Sequence, residues 1–253
     1  MTDYTERFTS RADNYAKYRP SYAPAVLDLL RRECALTPKS VIADIGSGTG
    51  ISTAMLLDHG NRVYAVEPND AMRAYAEQRL GNNPRFVSVA ARAEATTLPA
   101  ASVDLVTAGQ AFHWFEPEST RREWQRILKP DGWVALMWNS RQEDASPFAL
   151  GYEALLKQYS LDYQNVHHRN IGPAELDAFF GAGRWRRAAF DNPQTRDWET
   201  LSGGLQSGSY TPEPGHPNHV PLMEGMRRLF DEHQEGGYVV LPAVTEVYYG
   251  QLG

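Results

Sequence analysis

The chain has 253 residues, 42% of them hydrophobic and 22% charged, with a formal net charge of −6 and a pI near 5.7. That is the composition of a globular protein long enough for one large α/β domain with a modest insertion, and its acidic balance argues against an electrostatic nucleic-acid footprint. Cys34 stands alone, which excludes an internal disulfide and a cysteine metal site. There is no signal-like amino-terminal pattern and no apolar run near the ~20 residues that span a bilayer, so the expectation is a soluble, cytoplasmic protein without a membrane partner.

In chain order, a segment rich in Tyr and Arg is followed by helical apolar spacing over 23–33, with Val26, Leu27, Leu29 and Leu30. Short β-like runs then alternate with helix-forming stretches. The runs are "SVIADI" (40–45), "RVYAVE" (62–67), "RFVSVA" (85–90), "VDLVTA" (103–108) and "WVALMW" (133–138). Between them, 51–59, 70–80 and 118–128 read as helices, and Trp124, Ile127 and Leu128 give the last of these one apolar face. Apolar strands alternating with helices predict a mainly parallel sheet covered on both sides. Pro130-Asp131-Gly132 reads as a turn just before the fifth strand.

Beyond Arg141 the rhythm changes. Residues 146–181 read as helical, 184–190 as a strand, and 193–236 as helices around the loop "TPEPGHPNH". A final strand is predicted over 238–250, where Pro242 signals an edge, a bulge or a bend. The run "RWRR" (Arg184 to Arg187) is either a local basic patch or a solvated strand edge.

The most informative stretch is "VIADIGSGTGIS": a strand runs into Gly46, Gly48 and Gly50, and a helix opens at once. Glycines permit backbone angles closed to other residues and let a ligand approach the main chain, while the helix start offers free N–H groups. Glu67 ends the next strand 17 residues after Gly50, placed to accept from both hydroxyls of a ribose. The G-x-G-x-G spacing departs from the dinucleotide fingerprint, and no Walker lysine follows.

These residues resemble the class I S-adenosylmethionine-dependent methyltransferases. "ADIGSGTG" looks like their first motif and "AVEPNDAM" like their second. "AARAEATTLPAASVDLVTAGQAFHWF" is similar to the segment around their third and fourth strands, and "RILKPDGWVALMW" to their fifth-strand entry. The likeness covers nearly the whole chain. It is greatest to type 11 small-molecule enzymes, including trans-aconitate methyltransferase-like proteins, a group that "RADNYAKYRPSY" and "SGSYTP" also resemble.

The resemblance implies a Rossmann-like, mainly parallel seven-stranded sheet with helices on both faces and a helical insertion in the carboxyl-terminal half. It divides the single domain, 1–253, into a helical lid (1–36), a cofactor-binding core (37–140), a substrate-side insertion (141–236, with a strand near 184–190) and a last strand (237–253). S-adenosyl-L-methionine is the implied cofactor and S-adenosyl-L-homocysteine the product. Gly46, Ser47, Gly48 and Gly50 would pass against the methionine part, and Asp44 would support the loop and, through water, the amino group. Glu67 would hold the ribose, Met72 would pack on the adenine, and Ala93 and Glu94 would lie at the adenine edge. Simpler readings make Met72 ordinary core and Glu94 a cap. Arg92 stands where many relatives carry an acid, which puts a carboxylate contact to the adenine amino group in question.

"AGQAFHWF" (108–115) follows the fourth strand, where ligands of open α/β sheets bind. Gln110 is expected near the cofactor's amino-acid end. Trp114 and Phe112 offer aromatic faces to a cationic centre, or, for Phe112 especially, belong to the core. His113 has three readings: general base, substrate contact or structural hydrogen bonder. A carboxylate acceptor needs positive groups and no base. Arg19, Arg141, Tyr15, Tyr18, Tyr22 and, in the insertion, Tyr210 are the candidates to orient it. His167, His168, His216 and His219 lack a third partner at ligand spacing, so no metal is expected.

The leading expectation is therefore a methyltransferase acting on oxygen, nitrogen or sulfur of a small molecule, with a carboxylate one option. A non-catalytic cofactor-binding regulator is the alternative from another class. A nucleic-acid methyltransferase is disfavoured because Gly109-Gln110-Ala111-Phe112 replaces the Asn/Asp-Pro-Pro-aromatic motif, and a dinucleotide oxidoreductase comes last. Oligomeric state is left open.

Overall fold

The computed structural model describes residues 11–161, 163 and 171–253. Two helices, α1 (Ala12–Tyr18) and α2 (Ala25–Glu33), precede the sheet. The five apolar runs form β1 (Val41–Ile45), β2 (Arg62–Val66), β3 (Phe86–Val89), β4 (Val103–Gly109) and β5 (Leu128–Arg141). They are joined in part by α3 (Ile51–Asp58), α4 (Asp70–Leu80) and α5 (Pro117–Ile127). The second half supplies α6 (Pro147–Tyr159), α7 (Pro173–Phe180), β6 (Trp185–Asp191), β7 (Gln194–Arg196), α8 (Trp198–Gln206), α9 (His219–His233), β8 (Val239–Leu241) and β9 (Ala243–Gly250).

Seven strands make one sheet in the order β3-β2-β1-β4-β5-β9-β6. All neighbours within β1 to β5 pair in parallel, and β9 runs antiparallel to both β5 and β6. Both sheet faces are buried, as the continuous apolar strands require. Along β5, Val134, Leu136 and Trp138 point to a core with Trp124, Ile127, Phe179 and Phe180, while Ala135 and Met137 point to one with Val26, Leu30, Ile42 and Leu56. Burying each large apolar side chain in these layers contributes about 1.5–3 kcal/mol. A third core, with Phe148, Leu156, Leu205, Met226 and Phe230, holds α6, α8 and α9 together.

Several expectations change. Pro130-Asp131-Gly132 lies inside β5 as a register shift, Val103 pairing with Leu128 and Leu105 with Trp133. The single strand expected over 238–250 divides at Pro242. That residue has no N–H to donate, and its carbonyl accepts from Gln142 N (2.9 Å). Beyond it β9 becomes an interior strand, and before it β8 pairs with β7 as a separate antiparallel ribbon. β7 is Gln-Thr-Arg, three residues without an apolar signal, so no periodicity announces it. The helical reading of 146–181 resolves into α6 and α7; residues 162 and 164–170, with His167 and His168, lie outside the described residues.

The lid expected over 1–36 also divides. Residues 1–10 lie outside the described residues, and α2 is core: Val26, Leu29 and Leu30 are buried under the sheet. Helix α1 is the part that faces the insertion. Its Lys17 pairs with Glu199 (2.7 Å), and Arg11 beside it donates to the carbonyls of Gly208 and Thr211. Among the described residues no helix is long and apolar enough to cross a membrane.

Candidate active site

The turn between β1 and α3 is held in a conformation that only glycine adopts freely. Gly46, Gly48 and Gly50 have φ of +66°, +55° and +82°. A Cβ on Gly46 would stand 2.6 Å from Ala111 Cβ, so this backbone presses on the segment after β4. Asp44 braces the turn from beneath. It is fully buried and accepts from Ser52 Oγ (2.7 Å), Thr53 Oγ1 (2.6 Å) and Thr107 Oγ1 (2.8 Å). Burial pushes its carboxyl up, and these hydroxyls oppose the rise. Asp44 thus ties α3 to β4 and lines neither cavity described below.

Glu67 closes the other side of the turn. Its Oε2 accepts from Gly48 N (2.9 Å) and its Oε1 from Asn69 N (2.8 Å). Each carboxylate oxygen has two acceptor sites, so one on each remains for a hydroxyl pair. Burial raises the Glu67 carboxyl above its ordinary range. Beside it lies a cavity of about 540 Å³, lined among others by Tyr15, Gly48, Glu67, Met72, Gln110 and Trp114. Met72 is at once buried and a wall of this cavity, which unites its two readings. The turn also holds the buried Ser47 hydroxyl, which has no hydrogen-bond partner among the described residues. A nucleoside with a polar tail fits this set: two open carboxylate sites, an unengaged hydroxyl and a glycine cradle.

Ala93 and Glu94 are not brought to this cavity. Ala93 is buried in the core, and Glu94 Oε1 accepts from Glu116 N (3.1 Å) at the start of α5, as the capping reading expects. The turn that carries them is fixed by a bridge between Arg92 and Ala95.

A second cavity, of about 930 Å³, shares Tyr15, Gly46, Gly48, Gly109 and Gln110 with the first. Gln110 sits at the junction with φ +58°, a left-handed backbone rarely adopted by a side-chain-bearing residue. Its N–H donates to Met137 O (2.8 Å) and its Nε2 to Asn139 O (3.3 Å), which hold it there. Gly109 is a residue the sequence reading passed over. A Cβ there would lie 2.3 Å from Tyr22 Oη, so the glycine seats the buried Tyr22 against the strand end.

Tyr18, Tyr22, Arg19, Arg141 and Tyr210 line this second cavity, together with Arg196, which sequence reasoning missed. Among the described residues, the lining carries three arginines and no aspartate or glutamate. Arg141 donates to Tyr163 Oη (2.7 Å) and Tyr210 Oη (3.3 Å) and lies 3.7 Å from Glu153. Arg19 donates from Nε to Ser207 Oγ (2.9 Å), with its guanidinium 5.1 Å from the Tyr15 ring centre. Burial pushes the Tyr210 phenol up, yet Arg141 and Arg19 outweigh it and hold Tyr210 below the ordinary tyrosine range. The electrostatic character is strongly cationic.

The aromatic turn sorts into separate roles. Phe112 is core, its ring 4.5 Å from that of Phe179. Trp114 lines the first cavity. His113 lines neither, and its Nδ1 accepts a long bond (3.4 Å) from Trp138 Nε1. His219 Nδ1 contacts Pro212 O (2.9 Å) and His216 Nδ1 accepts from Asn218 N (3.1 Å), both local loop bonds.

Against known proteins, residues 43–136 match the family described as a methyltransferase domain. An uncharacterised methyltransferase-like protein of Schizosaccharomyces pombe is 31% identical over 204 residues, covering 80% of this chain and 77% of the relative. A second uncharacterised methyltransferase of that yeast is 35% identical over 207 residues, covering 80% and 78%. The solved structure of a putative type II methyltransferase from Anaeromyxobacter dehalogenans superposes with a TM-score of 0.60 at 21% identity, over 92% of this chain and 98% of that one. The last of these speaks for the fold alone.

The chain belongs to the class I S-adenosylmethionine-dependent methyltransferases. It is an enzyme whose cofactor is S-adenosylmethionine, and the cavity bounded by the glycine turn and Glu67 is the one whose residues suit that molecule.

Proposed function

We propose that the enzyme methylates a small acidic molecule, most simply on a carboxylate oxygen, as its sequence resemblance to trans-aconitate methyltransferase-like proteins suggests. The observation that carries the reading is the cavity whose described lining holds three arginines and no acid, and which meets the cofactor cavity at Gln110 and Tyr15. Bound S-adenosylmethionine supplies a methyl group on a sulfonium, already activated for displacement. The chain's part is to bind, orient and exclude water. Arg141, fixed by Tyr163, Tyr210 and Glu153, offers a guanidinium to an acceptor anion, and Tyr210 offers a phenol beside it. A carboxylate is ionised at neutral pH, so its oxygen takes the methyl in line without surrendering a proton to the protein. Ester and neutral S-adenosylhomocysteine are then the products. This accounts for a cavity whose described lining holds no histidine.

The test is methyl transfer from labelled cofactor into a panel of small carboxylic acids and their amide isosteres. Label is expected in base-labile esters of the acids. Label only in neutral or amine acceptors overturns the reading. A protein that binds S-adenosylhomocysteine tightly but labels no member of a broad metabolite panel favours the non-catalytic regulator.

A further inference from the structure

We infer that Arg196, with Arg19 in the same cavity wall, forms a second anion subsite in the acceptor cavity, so that the preferred acceptor carries two anionic groups and Arg196 selects for the second. The inference rests on the acidic-acceptor reading and sharpens it to dianions.

The three cavity arginines come from separate parts of the fold. Arg19 follows α1, Arg141 ends β5, and Arg196 ends β7 on the ribbon. All three line one cavity together with Tyr152, whose ring centre lies 5.2 Å from the Arg141 guanidinium. Their surroundings differ. Arg141 already has Glu153 at 3.7 Å and two tyrosine hydroxyls. Arg19 has a serine hydroxyl and an aromatic face, and Arg196 donates only to Gln194 Oε1 (3.3 Å). Among the described residues, neither Arg19 nor Arg196 forms an ion pair with an acid. Asp197, next in sequence to Arg196, is engaged in capping α8 through Thr200 N and Oγ1.

Arg19 and Arg196 are both half-buried in one cavity wall. Burial lowers the Arg196 guanidinium from its ordinary value; Tyr152 and Asp197 oppose the fall, and the charge of Arg19 adds to it. An anion placed between the two guanidiniums would offset their mutual repulsion. The glutamine on the same strand, Gln194, also lines the cavity and adds an amide donor. A planar carboxylate suits this arrangement, because each guanidinium presents a fork of N–H donors. The subsite joins the end of α1 to the ribbon. An anion bridging it would therefore hold down α1, whose Tyr15 borders the cofactor cavity as well.

The experiment measures binding to the protein saturated with S-adenosylhomocysteine, by calorimetry at constant ionic strength. Probes are butyrate as the monoanion and the straight dicarboxylates from malonate to adipate. For the wild type, at least one dicarboxylate should bind roughly tenfold or more tighter than butyrate, since a second charge-assisted pair is engaged. Arg196→Gln should remove that preference while leaving butyrate affinity within about twofold, and Arg196→Lys should restore part of it. Arg141→Gln should weaken butyrate and dicarboxylates together. A purely structural Arg196 would shift all probes in parallel. The dianion inference is overturned if no dicarboxylate surpasses butyrate, or if Arg196→Gln weakens both kinds equally. If no acid binds at any length while neutral isosteres do, the acidic-acceptor reading falls, a distinguishable failure.

Discussion

The two cavities that meet at Gly46 and Gln110 are built on opposite plans. The side that suits the cofactor centres on near neighbours in sequence, a glycine turn over 46–50, one acid at 67 and a helix that starts at Asp70, closed by Tyr15, Gln110 and Trp114. The acceptor side is made of long side chains brought from residues 19, 141, 152, 196 and 210, on five separate segments. The first offers a backbone cradle with a single carboxylate. The second offers guanidiniums and phenols. Short sequence spacings suffice to build the former, whereas the latter exists only once distant segments have folded together.

The comparison breaks most sharply at Glu67. Glu67→Ala removes the ribose acceptor and leaves the Gly48 and Asn69 N–H groups without it, at a cost of about 1–3 kcal/mol each. S-adenosylhomocysteine affinity should fall by roughly a hundredfold or more, read by calorimetry; unchanged affinity takes Glu67 out of the site. The same residue sets a pH dependence. Ribose hydroxyls donate to the ionised carboxylate, so binding favours that form, and burial has raised the free carboxyl. Affinity should weaken as the pH falls through that raised range and level off above it. Glu67→Gln should flatten the profile.

A smaller effect, on both cavities at once, is expected from Gly203→Ala. A Cβ on Gly203 would fall 2.3 Å from the Tyr18 ring, which lies flat against α8 there. The ring must move, and α1 with it, although alanine is itself worth about 1 kcal/mol in a helix interior. Because Tyr15 on α1 borders both cavities, affinity for S-adenosylhomocysteine and for acid probes should each fall by about three- to tenfold. Amide exchange over 12–18 should quicken. Adding Tyr18→Ala removes the clashing ring and should slow that exchange again; an α1 unmoved by either change would show that the two regions are independent.

How much of this was legible in the sequence follows the same division. The parallel sheet was readable because burial on both faces writes continuous apolar runs, and the cofactor turn because glycines and Glu67 act at fixed short spacings. Tyr15, Tyr18, Arg19, Tyr22, Arg141 and Tyr210 could be named only through resemblance, their meeting being a matter of tertiary structure. Arg196 escaped notice because β7 is three polar residues paired with a strand that a proline cuts from β9. Gly109 escaped because nothing in one sequence tells that Tyr22 will fold back on it. Ala93 and Glu94 were carried over by motif, and here the turn turns them to the core and to α5.

The smallest expected effect is at the residue that looked most like catalysis. His113 sits between the two regions in sequence, yet it lines neither cavity and packs beside Trp114 with ring centres 4.8 Å apart. His113→Ala removes that contact and the Nδ1 acceptor of Trp138, a buried side chain. A loss of about 1 kcal/mol, a few degrees in Tm, is the expected stability change. Turnover and S-adenosylhomocysteine affinity should both stay within about twofold, since an ionised acceptor needs no proton removed. A hundredfold fall in turnover with cofactor affinity intact would reinstate His113 as a general base. It would also replace the carboxylate by an acceptor that must lose a proton, and so tie the chemistry of the acceptor to the strand end after β4 and away from the arginines.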